Sequence, residues 1–299
     1  MSRRNLALVA ATLVSVIYGL TFTIAKEVMP EFVKPFGFIL LRVAGATALF
    51  WLVAPLGPKE KIAWADFPRI AAAALFGVAL NMLTFFKGLS LTTPISAAVI
   101  MVTTPIIVLI LSAIIVREQM KLQKAIGILL GLGGTLLLIL FGKSVGGSAQ
   151  AGWGNLLVFI NAVSYGLYLI VVKKLMDKYN AFTFVKWIYT FGLFMVIPFG
   201  WNELQLVNWP QVPTSVGWEI GFVVLFSTFG TYLLNLLSMR ELNPTTVAVF
   251  IYLQPLFAAL IAIGLGKDEL NWVKLSAALL IFLGVYLVIQ KKPTASTDN

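Results

Sequence analysis

The chain has 299 residues, 60% of them hydrophobic and 11% charged, with a mean hydropathy of +0.94 and a net charge of +10. Such a composition lies far outside that of soluble domains and leaves no room for one beside the apolar stretches. Cysteine and histidine are both absent, which excludes disulfides, thiolate or imidazole metal sites, cysteine nucleophiles and histidine proton relays.

Ten stretches approach the roughly 20 apolar residues that a membrane-spanning helix needs. The first, 6–25, follows Arg3 and Arg4 and is full length, so it is read as a retained span and not a cleavable leader. Tyr18 and Thr21 form a short polar face on it. The second, 35–56, carries Arg42 about seven residues in, roughly 10 Å below the membrane surface at about 1.5 Å per residue. Asn81 and Thr84 share a face of the third, 69–89. The fourth, 94–115, opens on Pro94, where a missing N–H costs little, but Pro105 lies eleven residues in, directly after Thr104.

The fifth stretch, 122–142, concentrates glycine as Gly127, Gly131, Gly133 and Gly134. Gly127 and Gly131 make a small-xxx-small pair, suited to close helix packing within the chain or to a homodimer seam. In the sixth, 152–172, Asn161, Tyr165 and Tyr168 are spaced i, i+4 and i+7 and share one face. The seventh, 182–200, carries Trp187, which suits either an interfacial belt or a cavity wall, and leads into the longest connection, 201–214. Thr231 and Asn235 face together on the eighth, 215–238. The ninth, 244–265, follows the fourth: Pro244 opens it, and Pro255 comes eleven residues in, directly after Gln254. The tenth, 271–290, stops at Lys291-Lys292-Pro293 and leaves 291–299 as a short tail. The other tryptophans, such as Trp51, Trp64, Trp153 and Trp272, fall at or near span ends, where an aromatic belt is expected.

The stretches come in two matching sets. Tyr18-Gly19-Leu20 returns as Tyr165-Gly166-Leu167 at an offset of 147. Leu75-Phe76 returns as Leu225-Phe226, Pro105 as Pro255, Arg117-Glu118 as Lys267-Asp268 and Gly134 as Gly284, all at an offset of 150. Residues 6–142 and 152–290 therefore read as two five-helix repeats, and because five is odd the second enters the bilayer from the opposite side. The expected fold class is an all-α integral membrane protein: ten transmembrane helices forming two inverted five-helix repeats around a central cavity, the layout of a secondary transporter.

With the amino terminus in the cytoplasm, inner segments hold 15 of the 22 Lys and Arg and outer segments hold 6. That bias follows the positive-inside rule and puts both termini in the cytoplasm. The net charge is thus a topology signal. No basic stripe with interleaved aromatics lies outside the membrane, so no nucleic-acid partner is expected.

Arg42 is the outstanding intramembrane charge, since arginine near a helix centre costs a few kcal/mol, about 2.5–3.5 on insertion scales. It either caps free carbonyls of a neighbouring helix, snorkels outward, or serves as a fixed cation for a substrate carboxylate or phosphate. Tyr18, Asn81, Thr84, Thr104, Asn161, Tyr165, Tyr168, Thr231, Asn235 and Gln254 fall at similar depth on related positions of both halves. Singly each suits interhelical glue; together with Arg42 they are expected to line a substrate site. Pro105 and Pro255 would bend or gate the helices that line it. The scattered acids suggest neither a catalytic site nor a metal site, and no cofactor is expected.

The residues that carry a family likeness are Tyr18-Gly19, Leu41-Arg42, Ala97-Ala98 with Thr104-Pro105 and Arg117-Glu118, then Gly131 and Gly134. Gly166, Ala248, Pro255 and Gly284 repeat the pattern in the second half. The chain resembles, over nearly its whole length, the drug/metabolite transporter superfamily, specifically its EamA-type ten-helix transporters. The resemblance implies a basket-like cavity lined by helices 1–4 and 6–9, with helices 5 and 10 set apart. It also implies a multi-pass protein of the bacterial inner (plasma) membrane that acts as a monomer or homodimer. Two departures bear on the cavity: Tyr18 stands where the family usually has Trp, and Tyr189 occupies the second-half position matching Arg42.

The expected function is transport of a small metabolite, amino acids or related compounds first, with export as the expected direction. The alternatives are a channel-like facilitator, or a carrier of other metabolites, drugs or phosphorylated sugars. A channel would show rings of charge or a carbonyl filter motif, and neither is present in the sequence. An intramembrane enzyme is not expected: rhomboid-like proteolysis needs a histidine, and Asp-rich prenyl-transfer motifs are missing.

Overall fold

The structure, a computed structural model, describes residues 2–29, 31–91, 97, 100–117, 121–140, 151–264 and 272–290. Pro94, Ala98, Glu118, Lys267, Asp268 and the 291–299 tail lie outside the described residues. Among the described residues regular structure is entirely helical. Lipid offers backbone groups no hydrogen-bond partner, so apolar spans close their own bonds as helices.

Helix α1 covers Arg3–Val28 and α2 covers Pro35–Val53. Helix α3 is Phe67–Ala74, a π-helical turn Leu75–Ala79, and Leu80–Leu91. Then come α4 (Thr104–Ile115), α5 (Leu122–Leu140), α6 (Ala151–Met176) and α7 (Ala181–Gln205). Helix α8 is Thr214–Phe222, a π-helical stretch Val223–Gly230, and Thr231–Met239. Helix α9 is Pro244–Val249, a 3-10 turn Phe250–Tyr252, and Leu253–Gly264, and α10 is Trp272–Ile289. Six segments are long and apolar enough to cross a membrane: Arg3–Thr21, Pro35–Leu56, Trp64–Leu91, Gly152–Met176, Ala181–Gln205 and Thr214–Met239. Thr104–Ile115, Leu122–Leu137, Pro244–Phe257 and Leu275–Ile289 are shorter apolar helices.

The irregularities have local causes. Pro105 has no N–H to offer the Met101 carbonyl one turn back. The Thr104 hydroxyl takes that carbonyl instead, at 2.6 Å. The corresponding break in α9 is the 3-10 turn ahead of Pro255, where Ser15 of α1 donates to the Phe250 carbonyl at 2.8 Å. A π turn likewise frees carbonyls from the regular ladder. In α3 they are met by Ser164 on Phe76 (2.8 Å) and by the Tyr232 hydroxyl on Gly77. In α8 they are met by Thr228 on Val223 (2.8 Å) and Thr231 on Ser227 (2.7 Å). The two π segments contain Leu75-Phe76 and Leu225-Phe226, the pairs that match at an offset of 150.

The bundle has two ends. At one, Arg4 donates to the Ile289 carbonyl, Gln123 to Leu287 (3.0 Å), Ser238 to Ala7 (3.0 Å) and Lys173 to Met239 (2.9 Å). These bonds bring the starts of α1 and α5 together with the ends of α6, α8 and α10. At the same end Asp66 accepts from Tyr179 at 2.6 Å and pairs with Lys178, joining the α2–α3 connection to the α6–α7 connection. The Asp66 hydrogen bond, then that of Tyr179, raises the Lys178 ammonium above the usual lysine range, so it stays charged at neutral pH. At the opposite end the Glu203 carboxylate accepts from the first amides of α2, Phe36 (2.7 Å) and Gly37 (3.0 Å). A carboxylate is favoured there by the free N–H groups and the helix dipole.

Helices α5 and α10 pack along each other through glycine. A Cβ on Gly284 would sit 2.6 Å from the Gly127 carbonyl oxygen and 2.5 Å from the Gly131 nitrogen. The small-xxx-small pair is therefore occupied within the chain. Gly284→Leu should destabilise the protein by about 1–3 kcal/mol, the usual cost of forced overpacking. Gly133, which meets nothing within 4 Å, should tolerate leucine. Thermal unfolding of both variants in detergent checks the contrast; equal melting temperatures would contradict it. Trp187 belongs with the belt: it stands edge-on to Trp51 (5.3 Å) and Phe67 (5.5 Å).

Candidate functional site

Helix α2 carries Arg42 into the packed interior, where it is 6% exposed. The guanidinium lies over Phe38, one turn away on α2, at 5.9 Å and over Phe86 of α3 at 5.4 Å. Its Nε donates to Thr228 Oγ1 at 3.1 Å, in the π stretch of α8. The Thr228 hydrogen goes to the Val223 carbonyl, which leaves its oxygen free to accept. The π stretch thus aims an acceptor at Arg42. Among the described residues no carboxylate pairs with Arg42, and its two terminal nitrogens have no hydrogen-bond acceptor. Arg42 caps no carbonyl and does not snorkel to the surface.

Three tyrosines, Tyr18, Tyr189 and Tyr232, lie within electrostatic range of this cation. Tyr189 is fully buried, with its ring 4.6 Å from Phe50 and edge-on to Tyr232 at 4.9 Å. Tyr232 meets Tyr168 at 5.8 Å, and Tyr168 meets Tyr165 at 6.2 Å. The Thr231 and Tyr18 hydroxyls are 3.3 Å apart. Nearby in the bundle, Asn161 of α6 donates to the Asn81 carbonyl of α3 at 2.7 Å. Buried polar atoms are normally paired, yet the hydroxyls of Tyr168 and Tyr189 and Oδ1 of Asn161 are buried without a protein partner.

The residues expected at the site divide in two. Tyr18, Arg42, Thr231, Tyr165 and Tyr168 join one network through Tyr232 and Thr228, and Asn81 and Asn161 bond to each other. Thr84 and Thr104 spend their hydroxyls on their own helices, on the Leu80 and Met101 carbonyls at 2.6 Å each. Asn235 is buried on α8, and Gln254 is half-buried immediately before Pro255. Sequence reasoning missed Thr228, Tyr232, Phe38 and Phe86. Tyr232 had a signal, because it follows Thr231 on a helix already marked; Thr228 sits one turn before it. An open depression of ≈ 290 Å³ lies away from all of these, at the Lys178 end, beside the Lys173–Asp177 pair (3.2 Å).

The chain matches the EamA-like transporter family over residues 5–140 and again over 152–290. It is 28% identical over 279 residues to an uncharacterized transporter of Archaeoglobus fulgidus, covering 92% of this chain and 95% of that one. It is 24% identical to the uncharacterized transporter YyaM of Bacillus subtilis, covering 91% and 89%. Over 206 residues it is 24% identical to the uncharacterized inner membrane transporter YedA of Escherichia coli K12, covering 67% and 65%. A crystal structure with 17% sequence identity superposes with a TM-score of 0.76 over 96% of this chain and 98% of that one, which shows the shared fold. The apolar helices and these relatives make the protein a multi-pass membrane protein with a transport role. The chain belongs to the EamA-like transporter family.

Proposed function

We propose that the protein is a secondary transporter that moves small metabolites, amino acids or related compounds first, outward across the bacterial inner membrane by alternating access. The observation that carries this reading is Arg42: a buried guanidinium held by one hydroxyl and two aromatic faces, its terminal nitrogens open. Burying an unpaired charge is costly, and a substrate carboxylate would offset that cost with two charge-assisted bonds. Tyr18, Asn81, Asn161, Tyr165, Tyr168, Thr231, Asn235 and Gln254 complete the proposed site.

Residues 6–142 and 152–290 form the two inverted five-helix repeats of this reading, with a cytoplasmic tail at 291–299. The equivalent placement of the π segments and of the breaks before Pro105 and Pro255 supports that relation. Hinges at Pro105 and Pro255 would then bend matching helices. The grouping of α1 and α10 ends through Arg4 suits two termini on one side, taken as the cytoplasm. Because α10 fills the Gly127–Gly131 face, a monomer is the simpler assembly.

The cysteine-free chain makes single introduced cysteines clean reporters. An impermeant thiol reagent on intact cells should modify Gln205→Cys and spare Lys61→Cys. Asn81→Cys should react from outside in intact cells and from inside in inverted vesicles. Labelling of Lys61→Cys from outside, or of Asn81→Cys from neither side, would contradict the reading.

A further inference from the structure

Two features of the interior bear on what drives transport. Arg42 is the one buried charged side chain among the described residues that lies away from the bundle ends, since Asp66, the other buried charge, sits in the end network with Lys178 and Tyr179. The titratable groups within electrostatic range of Arg42 do not change charge near neutral pH: Tyr18 from α1, Tyr189 from α7 and Tyr232 from α8 are phenols, with an ordinary pKa near 10. Thr228, Phe38 and Phe86 do not titrate.

Most of the remaining described charges on the packed elements are engaged or exposed. Glu203 of α7 is engaged by the Phe36 and Gly37 amides, and Lys186 stands over Trp51 at 4.8 Å. Lys34 and Lys87 are exposed at helix ends. Glu219 of α8 is the exception, because its Oε2 is buried without a hydrogen bond among the described residues. It lies, however, nine residues before Thr228, about 13 Å along the helix, with Glu27 exposed on α1. A proton-coupled carrier needs a group that gains or loses a proton within the substrate path. Arg42 cannot serve, because its guanidinium stays protonated.

We infer that the substrate crosses as a net monoanion without a co-transported proton, so that each turnover moves one negative charge and an inside-negative membrane potential drives export. The inference rests on the transporter reading and adds the charge form of the substrate and the energy source. A fixed cation with no fixed acid beside it matches one unbalanced negative charge. A cationic substrate finds only repulsion at Arg42, and a net-neutral zwitterion carries no charge for the membrane potential to act on. At 100 mV a monoanion would be expelled to a concentration ratio on the order of 50-fold, the equivalent of about 2.3 kcal/mol per charge. The direction of transport then follows from the sign of the substrate.

The test uses the purified full chain in liposomes, with radiolabelled L-glutamate, L-leucine and L-lysine as monoanionic, zwitterionic and cationic probes. A potassium gradient with valinomycin sets the potential; a pH gradient at zero potential is applied separately. The expected result is that L-glutamate distributes with the potential, away from the negative side, by more than tenfold at 100 mV. The pH gradient alone should produce no accumulation, and Glu219→Gln should leave the potential-driven ratio unchanged. Accumulation that follows the pH gradient, or that collapses in Glu219→Gln, would overturn the inference and move coupling to the Glu27–Glu219 region. Preferred movement of L-leucine or L-lysine would overturn it while leaving transport intact. Absence of flux for all three probes in folded protein would remove the amino-acid substrate reading, and this inference with it.

Discussion

Arg42→Gln should cut transport of a carboxylate-bearing substrate by on the order of 100-fold or more while the protein still inserts and folds. Removing one partner of a buried, hydrogen-bonded charge pair costs about 2–5 kcal/mol of binding, and each 1.4 kcal/mol is about tenfold. The fold should survive because two contributions oppose each other. The variant loses the Nε bond to Thr228 and the contacts with Phe38 and Phe86, but it no longer buries an uncompensated charge. Arg42→Lys keeps the charge and loses the planar fork, so it should weaken transport by about tenfold. Initial rates in proteoliposomes, with melting temperatures measured in parallel, check both. Wild-type transport of an anionic substrate by folded Arg42→Gln would return Arg42 to a packing role.

The polar groups expected at the site should separate by what their side chains already bond. Tyr18→Ala, Asn81→Ala, Asn161→Ala, Tyr165→Ala and Gln254→Ala should each lower transport by about tenfold or more, since a lost buried contact is worth roughly 1–3 kcal/mol. Thr84→Val and Thr104→Val should change transport less than about twofold, because those hydroxyls serve the Leu80 and Met101 carbonyls. Their cost should appear as about 1 kcal/mol of stability. If all five alanine variants transport normally, these groups are interhelical glue and the substrate path lies elsewhere.

Much of this was legible in the chain because the signals are one-dimensional. Span lengths, the repeat offsets and an arginine within an apolar stretch need no knowledge of which helices touch. What was not legible depends on rotation and pairing. Thr228 meets Arg42 from 186 residues away, through a π stretch that has no simple sequence signature. Tyr189 was noted only as the residue in place of a second arginine, yet it is buried within electrostatic range of the first. The Gly127–Gly131 pair announced close packing but not its partner, which the structure identifies as Gly284 of α10. The bond between Asp66 and Tyr179 joins two short connections 113 residues apart, with charges that read singly as solvated loop residues.

The distinction between a carrier and a pore is decided by how initial rate depends on substrate concentration. With L-glutamate in proteoliposomes, the rate should saturate and should rise when unlabelled L-glutamate is placed on the opposite side. Both follow from one binding site exposed to one side at a time. A rate that climbs linearly with concentration and ignores the opposite side would contradict alternating access around Arg42.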